Sequence, residues 1–223
     1  MKPVKVKICG IRTKEEVEAL NRLKPQFAGF VLAPSKRRVT FDTAAYLLKR
    51  LDPAITPVAV LVNAAVSEVE ELLRHCPFKV LQLHGQETPD TLKALRTELN
   101  GLDREQGTAE ATIGIQIWKA LRADTPELLQ SIRTYLPHTD GILLDGKAPG
   151  SGQSYDLTPI HGLAEKLGSI PLILAGGLHP ENVGRAIAQI KPWAVDTSSG
   201  ADGLDGYKDS ERIKAFMAAA VQQ

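Results

Sequence analysis

Leu174-Ala175-Gly176-Gly177 and, further along, Val195-Asp196-Thr197-Ser198-Ser199-Gly200 decide how this chain is read. Each closes a short apolar β-type run, residues 170–174 in the first case and 193–195 in the second. Each run stops abruptly in glycine or serine. Such residues let a ligand approach the backbone, where peptide N–H groups can meet an oxyanion, and a following helix adds its positive N-terminal end. A plainer alternative is a pair of tight turns between strand and helix. Two such loops at consecutive strand ends favour an anion cradle.

The same alternation runs the length of the chain. Short β-type runs occupy residues 4–8, 27–32, 57–62, 79–83, 113–119, 141–144, 170–174 and 193–195. Between them apolar residues recur at helical spacing, as in Val66, Val69, Leu72 and Leu73, in Leu157, Ile160, Leu163, Ala164 and Leu167, and in Val183, Ala186, Ile187 and Ile190. Ile213, Phe216, Met217, Ala220 and Val221 give a terminal helix. Helix starts are marked by Thr13 with Glu16, Ser67 with Glu70, and Thr125-Pro126-Glu127-Leu128. Eight strands, each followed by a helix, predict an α/β chain folded as a single-domain (β/α)8 TIM barrel over residues 1–223. Residues 100–112 (NGLDREQGTAEAT) are polar and carry no stripe, so they are expected to form a surface insertion before the fifth strand.

Bulk properties narrow the function. Lys and Arg number 27 against 26 Asp and Glu, a net charge of +1, and no basic stripe is interleaved with aromatics, so nucleic acid is a poor partner. Two cysteines, Cys9 and Cys76, are too few for a disulfide framework and wrongly spaced for zinc. A strand begins within the first residues and no apolar run reaches the roughly 18 residues of a membrane span. The expectation is a cytoplasmic protein with no membrane association.

Chemistry in such a barrel sits at the carboxyl ends of the strands. Those ends carry Cys9-Gly10, Ala33-Pro34-Ser35 before Lys36-Arg37-Arg38, Asn63, Gln82-Leu83-His84-Gly85, Lys119, Asp145-Gly146, Gly176-Gly177 and Asp196 to Gly200. They hold no His/Asp/Glu cluster suited to a metal and no Ser-His-Asp set. Asn63 reads as a turn residue. By strand parity Lys5, Lys7 and Cys9 face the barrel interior while Val4, Val6 and Ile8 face the helices. An ammonium near Cys9 is expected to lower its pKa from about 8.5 toward neutrality and make it a general base. The alternative is a small buried apolar residue, which suits Cys76 well. Asp145 follows Gly141-Ile142-Leu143-Leu144, a setting expected to desolvate its carboxyl and fit it to donate a proton, the alternative being a plain helix-capping or turn aspartate. The Gly-rich stretch from Gly146 through Gly150, Gly152 and Ser154 is expected to close over a ligand.

Several stretches together resemble the phosphoribosylanthranilate isomerase family of tryptophan biosynthesis, nearly end to end. They are Val6-Lys7-Ile8-Cys9-Gly10-Ile11, Gly29-Phe30-Val31, Pro34-Ser35-Lys36-Arg37, Val60-Leu61-Val62-Asn63, Leu81-Gln82-Leu83-His84-Gly85 and Ile142-Leu143-Leu144-Asp145. Gly150-Ser151-Gly152 with Tyr155-Asp156, Ala175-Gly176-Gly177-Leu178 with Pro180-Glu181-Asn182-Val183, and Val195-Asp196 with Ser198-Ser199-Gly200 complete the set.

The resemblance implies an Amadori rearrangement of the aminoaldose N-(5-phosphoribosyl)anthranilate to the aminoketose. It implies Cys9 as general base and Asp145 as general acid, with Arg37, Gln82, His84 and Asp196 binding substrate. Gly152, Gly176, Gly177, Ser198, Ser199 and Gly200 would bind its phosphate. Both steps are proton transfers, so no cofactor or metal is implied. The partner is the phosphosugar-anthranilate substrate, and a monomer or homodimer is expected. Departures from the family pattern are Gln153 in place of a basic residue, Thr197 before the serine pair, Asp202 in place of a glutamate, and the length of residues 100–112. Two other readings compete. One is a different phosphosugar isomerase or epimerase, such as the histidine-pathway aminoaldose isomerase or a dual-substrate form. The other is a non-catalytic barrel that binds a phosphometabolite.

Overall fold

The computed structural model describes residues 3–105, 114–146 and 160–221. Eight parallel strands pair in chain order and close on themselves. In order they are β1 (Lys5–Cys9), β2 (Phe27–Val31), β3 (Thr56–Leu61), β4 (Val80–Leu83), β5 (Gln116–Arg122), β6 (Gly141–Asp145), β7 (Leu172–Leu174) and β8 (Ala194–Thr197). The intervening helices are α1 (Lys14–Leu23), α2 (Phe41–Leu48), α3 (Val66–His75), α4 (Pro89–Glu105), α5 (Leu128–Tyr135), α6 (Leu163–Lys166) and α7 (Pro180–Ile190), with α8 (Ser210–Val221) last.

Strand parity divides the molecule into two cores. Val6, Ile8, Ala28, Phe30, Leu81, Leu83, Ile142 and Leu144 point outward and pack with the apolar stripes of the helices. Inward-facing Phe27, Val58, Val80, Trp118, Leu143, Ile173 and Ala194 fill the barrel, with Trp193 against them. Phe27 and Trp118 meet edge to face with centroids 5.1 Å apart, and the Lys5 ammonium sits 4.3 Å from the Trp193 ring centre. These rings lie toward the amino ends of the strands and plug the floor. The open mouth is therefore at the carboxyl ends.

Several expected boundaries move. β5 runs through Lys119 to Arg122 instead of ending at Lys119, because the ammonium is neutralised inside the barrel; Ile113 lies outside the described residues. The stretch expected as an insertion begins as helix, since α4 continues to Glu105; its remainder to Thr112 lies outside the described residues. Helix α3 is capped two residues earlier than Ser67 suggests, with Glu68 accepting from the Ala65 amide at 2.8 Å. Helix α5 starts at Leu128, so Pro126 precedes it and does not stand in its first turn. The Thr13–Glu16 capping box of α1 forms as expected. Cys76 is buried with its thiol toward the Phe41 carbonyl, a packing role. No described helix is long and apolar enough to cross a membrane.

Candidate active site

Register sets the first part of the site. The β1–β8 pairing puts Lys7 beside Asp196, and the β1–β2 pairing puts Cys9 beside Gly29. The Lys7 ammonium, wholly buried, donates to Asp196 Oδ2 at 2.8 Å. A β-carbon on Gly29 would fall 2.8 Å from the Cys9 sulfur and 3.1 Å from Lys7 Nζ, so only glycine leaves room for both inward side chains. Burial alone would lower the Lys7 pKa, but the Asp196 carboxylate and Cys9 raise it above the usual lysine value. Cys9 departs from expectation. Burial pushes its thiol above the usual cysteine value, and the Asp196 charge adds to the rise while Lys7 pulls the other way. The nearby ammonium does not bring the thiol toward neutrality, because burial, with the Asp196 charge added to it, outweighs the pull of Lys7.

The second part spans β4 and β6. Gln82 and His84 lie two residues apart on the inward face, and the Gln82 amide nitrogen sits 2.9 Å from His84 Nδ1. His84 Nε2 is 3.1 Å from Asp145 Oδ2. Gln82 is buried, whereas the His84 and Asp145 side chains are about one-third exposed at the mouth. Gly176, at φ +87°, permits the close crossing of the loops after β6 and β7. A β-carbon there would stand 2.2 Å from the Gly146 nitrogen and 2.7 Å from Asp145 Oδ1.

The third part joins the loops after β2 and β8. Arg37 alone of the Lys36-Arg37-Arg38 run is half-buried, and its guanidinium donates to Asp202 Oδ2 at 2.5 Å. Lys208 also bonds Asp202 and donates to the Ser198 carbonyl at 3.1 Å. Burial works to raise the Asp202 pKa, but these two cations hold it below the usual carboxylate range. Ser198 Oγ donates to the Cys9 carbonyl at 3.1 Å, and Ser199-Gly200-Ala201 form a 3₁₀ turn. Sequence reasoning noted Asp202 only as a departure and missed Lys208. Neither has a local signal, since Arg37 and Asp202 stand 165 residues apart.

Lys119 is buried and its ammonium is committed to the loop after β4. Its ammonium reaches Glu87 Oε2 at 2.8 Å, the Gly85 carbonyl at 2.8 Å and the Leu83 carbonyl at 3.3 Å, using all three protons. Glu87 also accepts from the amides of Asn63 and Gly85, and Asn63, expected as a turn residue, has a left-handed backbone. This clamp holds the loop that carries His84. Burial opposes the Glu87 charge, but Lys119 and the amides outweigh it and keep the carboxyl below its usual value. Removing one partner of a buried pair costs about 3 to 5 kcal/mol, so Lys119→Met should lower the urea midpoint markedly. A loss below about 1 kcal/mol would show the pair behaving as an exposed one. Because the folded-state pKa is depressed, the stability contributed by Glu87 is present above its unfolded value of about 4.3 and disappears as pH falls through the folded one.

Cys9, Arg37, Gln82, Asp145, Gly176, Gly177, Asp196, Ser198 and Ser199 border one cavity of about 340 Å³. A second of about 580 Å³ adjoins it and shares Val62, His84 and Asp145. The structure thus brings the expected acid, base and anion-loop residues to one opening. Gly200 lies in the 3₁₀ turn beside it, while Gly152 and Gln153 lie outside the described residues. Three buried polar atoms of lining residues lack a protein partner: Arg37 Nε, Gln82 Oε1 and Asp196 Oδ1. No group of three or more metal-ligating side chains occurs among the described residues.

A family model described as N-(5'phosphoribosyl)anthranilate (PRA) isomerase matches residues 6–219. The N-(5'-phosphoribosyl)anthranilate isomerase of Acetivibrio thermocellus is 40% identical over 216 residues, covering 95% of this chain and 93% of that protein. The crystal structure of phosphoribosyl anthranilate isomerase from Thermotoga maritima superposes with a TM-score of 0.83 at 30% identity, covering 97% of this chain and 98% of that one. A crystal structure of a phosphoribosyl anthranilate isomerase in complex with reduced 1-(o-carboxyphenylamino)-1-deoxyribulose 5-phosphate gives a TM-score of 0.80 at 29% identity, covering 97% of this chain and 98% of that one.

Proposed function

The chain belongs to the N-(5'-phosphoribosyl)anthranilate isomerase family, and from that membership we propose how its own residues carry out the isomerisation in tryptophan biosynthesis. The substrate is N-(5-phosphoribosyl)anthranilate and the product 1-(2-carboxyphenylamino)-1-deoxyribulose 5-phosphate. Asp145 donates a proton to the furanose ring oxygen, the bond from that oxygen to C1′ breaks, and a protonated imine forms. Cys9, as thiolate, then removes the C2′ proton, and the resulting enolamine becomes the ketone. Each step moves a proton, and the chemistry calls for no cofactor.

One observation carries this reading: Cys9 and Asp145 border the same cavity as Gly176-Gly177 and Ser198-Ser199. A phosphate held by those loops leaves the sugar between acid and base. Asp196 Oδ1, a buried acceptor without a protein partner, suits a sugar hydroxyl. Arg37 Nε, a buried donor in the same state, suits the substrate carboxylate.

Growth rescue of a tryptophan auxotroph lacking this isomerase tests the reading, with a histidine auxotroph lacking the related aminoaldose isomerase in parallel. Rescue of the first alone is expected. Rescue of the second alone would favour the histidine-pathway reading, and rescue of neither a binding role.

The arginine assignment has its own test. Arg37→Lys should raise KM by about tenfold or more, the worth of a charge-assisted hydrogen bond that an ammonium cannot reproduce in planar form. Arg38 is exposed, and Arg38→Lys should leave KM within about twofold, as surface substitutions do. Equal effects would remove the reason for singling out Arg37.

A further inference from the structure

Gln82, His84 and Asp145 form a chain in which each group restricts the next. A carboxyl that carries its proton on Oδ1 only accepts at Oδ2, as does the carboxylate left once that proton is given up, so in both states His84 presents an N–H to Asp145 Oδ2, 3.1 Å from Nε2. A neutral imidazole has a single N–H, which leaves Nδ1 as an acceptor that needs a donor. The Gln82 amide nitrogen supplies one at 2.9 Å. Gln82 is itself 1% exposed, so its side-chain amide is closed off from bulk solvent. Its Oε1 then turns to the rest of the interior, buried and with no protein partner. Asp145 Oδ1, the oxygen not bonded to His84, lies toward Gly176 and the anion loop.

We propose that Gln82 is a positioning residue for the acid step. It selects the Nε2–H tautomer of His84, and His84 holds Asp145 Oδ2 so that Oδ1 is the oxygen presented to substrate. The assignment rests on Asp145 being the general acid, as read above. Its catalytic value is preorganisation. When the proton on Oδ1 passes to the substrate's ring oxygen, the charge left on Asp145 meets an N–H donor already aimed at it. Gln82→Glu reverses the chain. A carboxylate at position 82 accepts from Nδ1–H, which either strips the proton from Nε2 or forces the ring to carry two.

The tautomer can be read directly. Enzyme labelled with ¹⁵N-histidine is studied at about pH 8.5, where an ordinary histidine is neutral, and the His84 signals are assigned by their loss in His84→Gln. Five histidines keep that spectrum simple. The wild-type ring should show Nε2–H with Nδ1 unprotonated, and Gln82→Glu should show Nδ1–H or a doubly protonated ring. In steady-state assays Gln82→Glu should lower kcat by about 10²-fold, the scale of a disabled general acid, with much less change in KM. His84→Gln, which keeps an N–H donor near the Nε2 position, should retain more activity than His84→Leu.

A wild-type Nδ1–H tautomer would overturn the proposal. So would a Gln82→Glu enzyme with the wild-type tautomer, or one with the altered tautomer and unchanged kcat. Wild-type protein with the Nε2–H tautomer but no isomerase activity would instead overturn the acid assignment and leave the tautomer chain supported.

Discussion

Asp145→Asn enzyme is expected to bind substrate nearly as well as wild type and to turn it over about 10² to 10⁴ times more slowly. The amide matches the carboxyl in outline and can still accept from His84 Nε2, so the contact at 3.1 Å survives. What it cannot do is give up a proton to the ring oxygen. Ring opening precedes every later step, so the loss should appear in kcat and in kcat/KM together, with binding of a reduced product analogue little changed in calorimetry. A variant within a few-fold of wild-type kcat would take Asp145 out of the mechanism.

Cys9 carries the second large effect. Cys9→Ser should fold and lose most activity, since a hydroxyl has a similar size but is far too weak an acid to form the needed anion near neutral pH. Cys9→Ala should be as inactive. The sign of the pH dependence follows from the burial of the thiol. Burial raises its pKa above the ordinary thiol value, so kcat/KM should climb with pH as the thiolate fraction grows, and keep climbing beyond the range of an ordinary thiol. Lys7→Met should push the climb higher still, because the charge that lowers the thiol pKa is gone and the Asp196 charge that raises it is no longer balanced. A thiol alkylating agent should inactivate the enzyme, faster at high pH, with protection by a phosphorylated analogue. Cys76 is 1% exposed and should react far more slowly. A Cys9→Ser variant with near-normal turnover would end the mechanism and leave the fold and family standing.

The barrel was legible because its two periodicities are local. Alternation in residues 4–8 correctly sends Val6 and Ile8 to the helices and Lys7 to the interior. The ends of strands were less legible where a charge is buried by a distant partner. Lys119 looks like a terminus until Glu87, 32 residues earlier, is seen to neutralise it. Asp196 likewise reads as a loop residue after Val195, yet it continues β8 because Lys7 meets it 189 residues away. The same blindness explains the thiol. A lysine two residues from a cysteine on one strand face suggests acidification, and only the closed barrel reveals the burial and the Asp196 charge that outweigh it. Individual site residues could be named from strand ends and family resemblance, but their mutual contacts could not.

The pairing of the first strand with the last has a consequence for how the active form is reached. Lys7 with Asp196, Ser198 with the Cys9 carbonyl, and the Lys208 amide with Glu16 all bridge the two extremes of the chain. Helices and neighbouring strand pairs form from contacts close in sequence, whereas this seam requires a loop of nearly the whole chain to close. The surroundings of the Cys9 thiol therefore come into being only with the final stitch of the barrel. In refolding from urea, far-ultraviolet circular dichroism should recover ahead of catalytic competence, and weakening the seam should widen that delay.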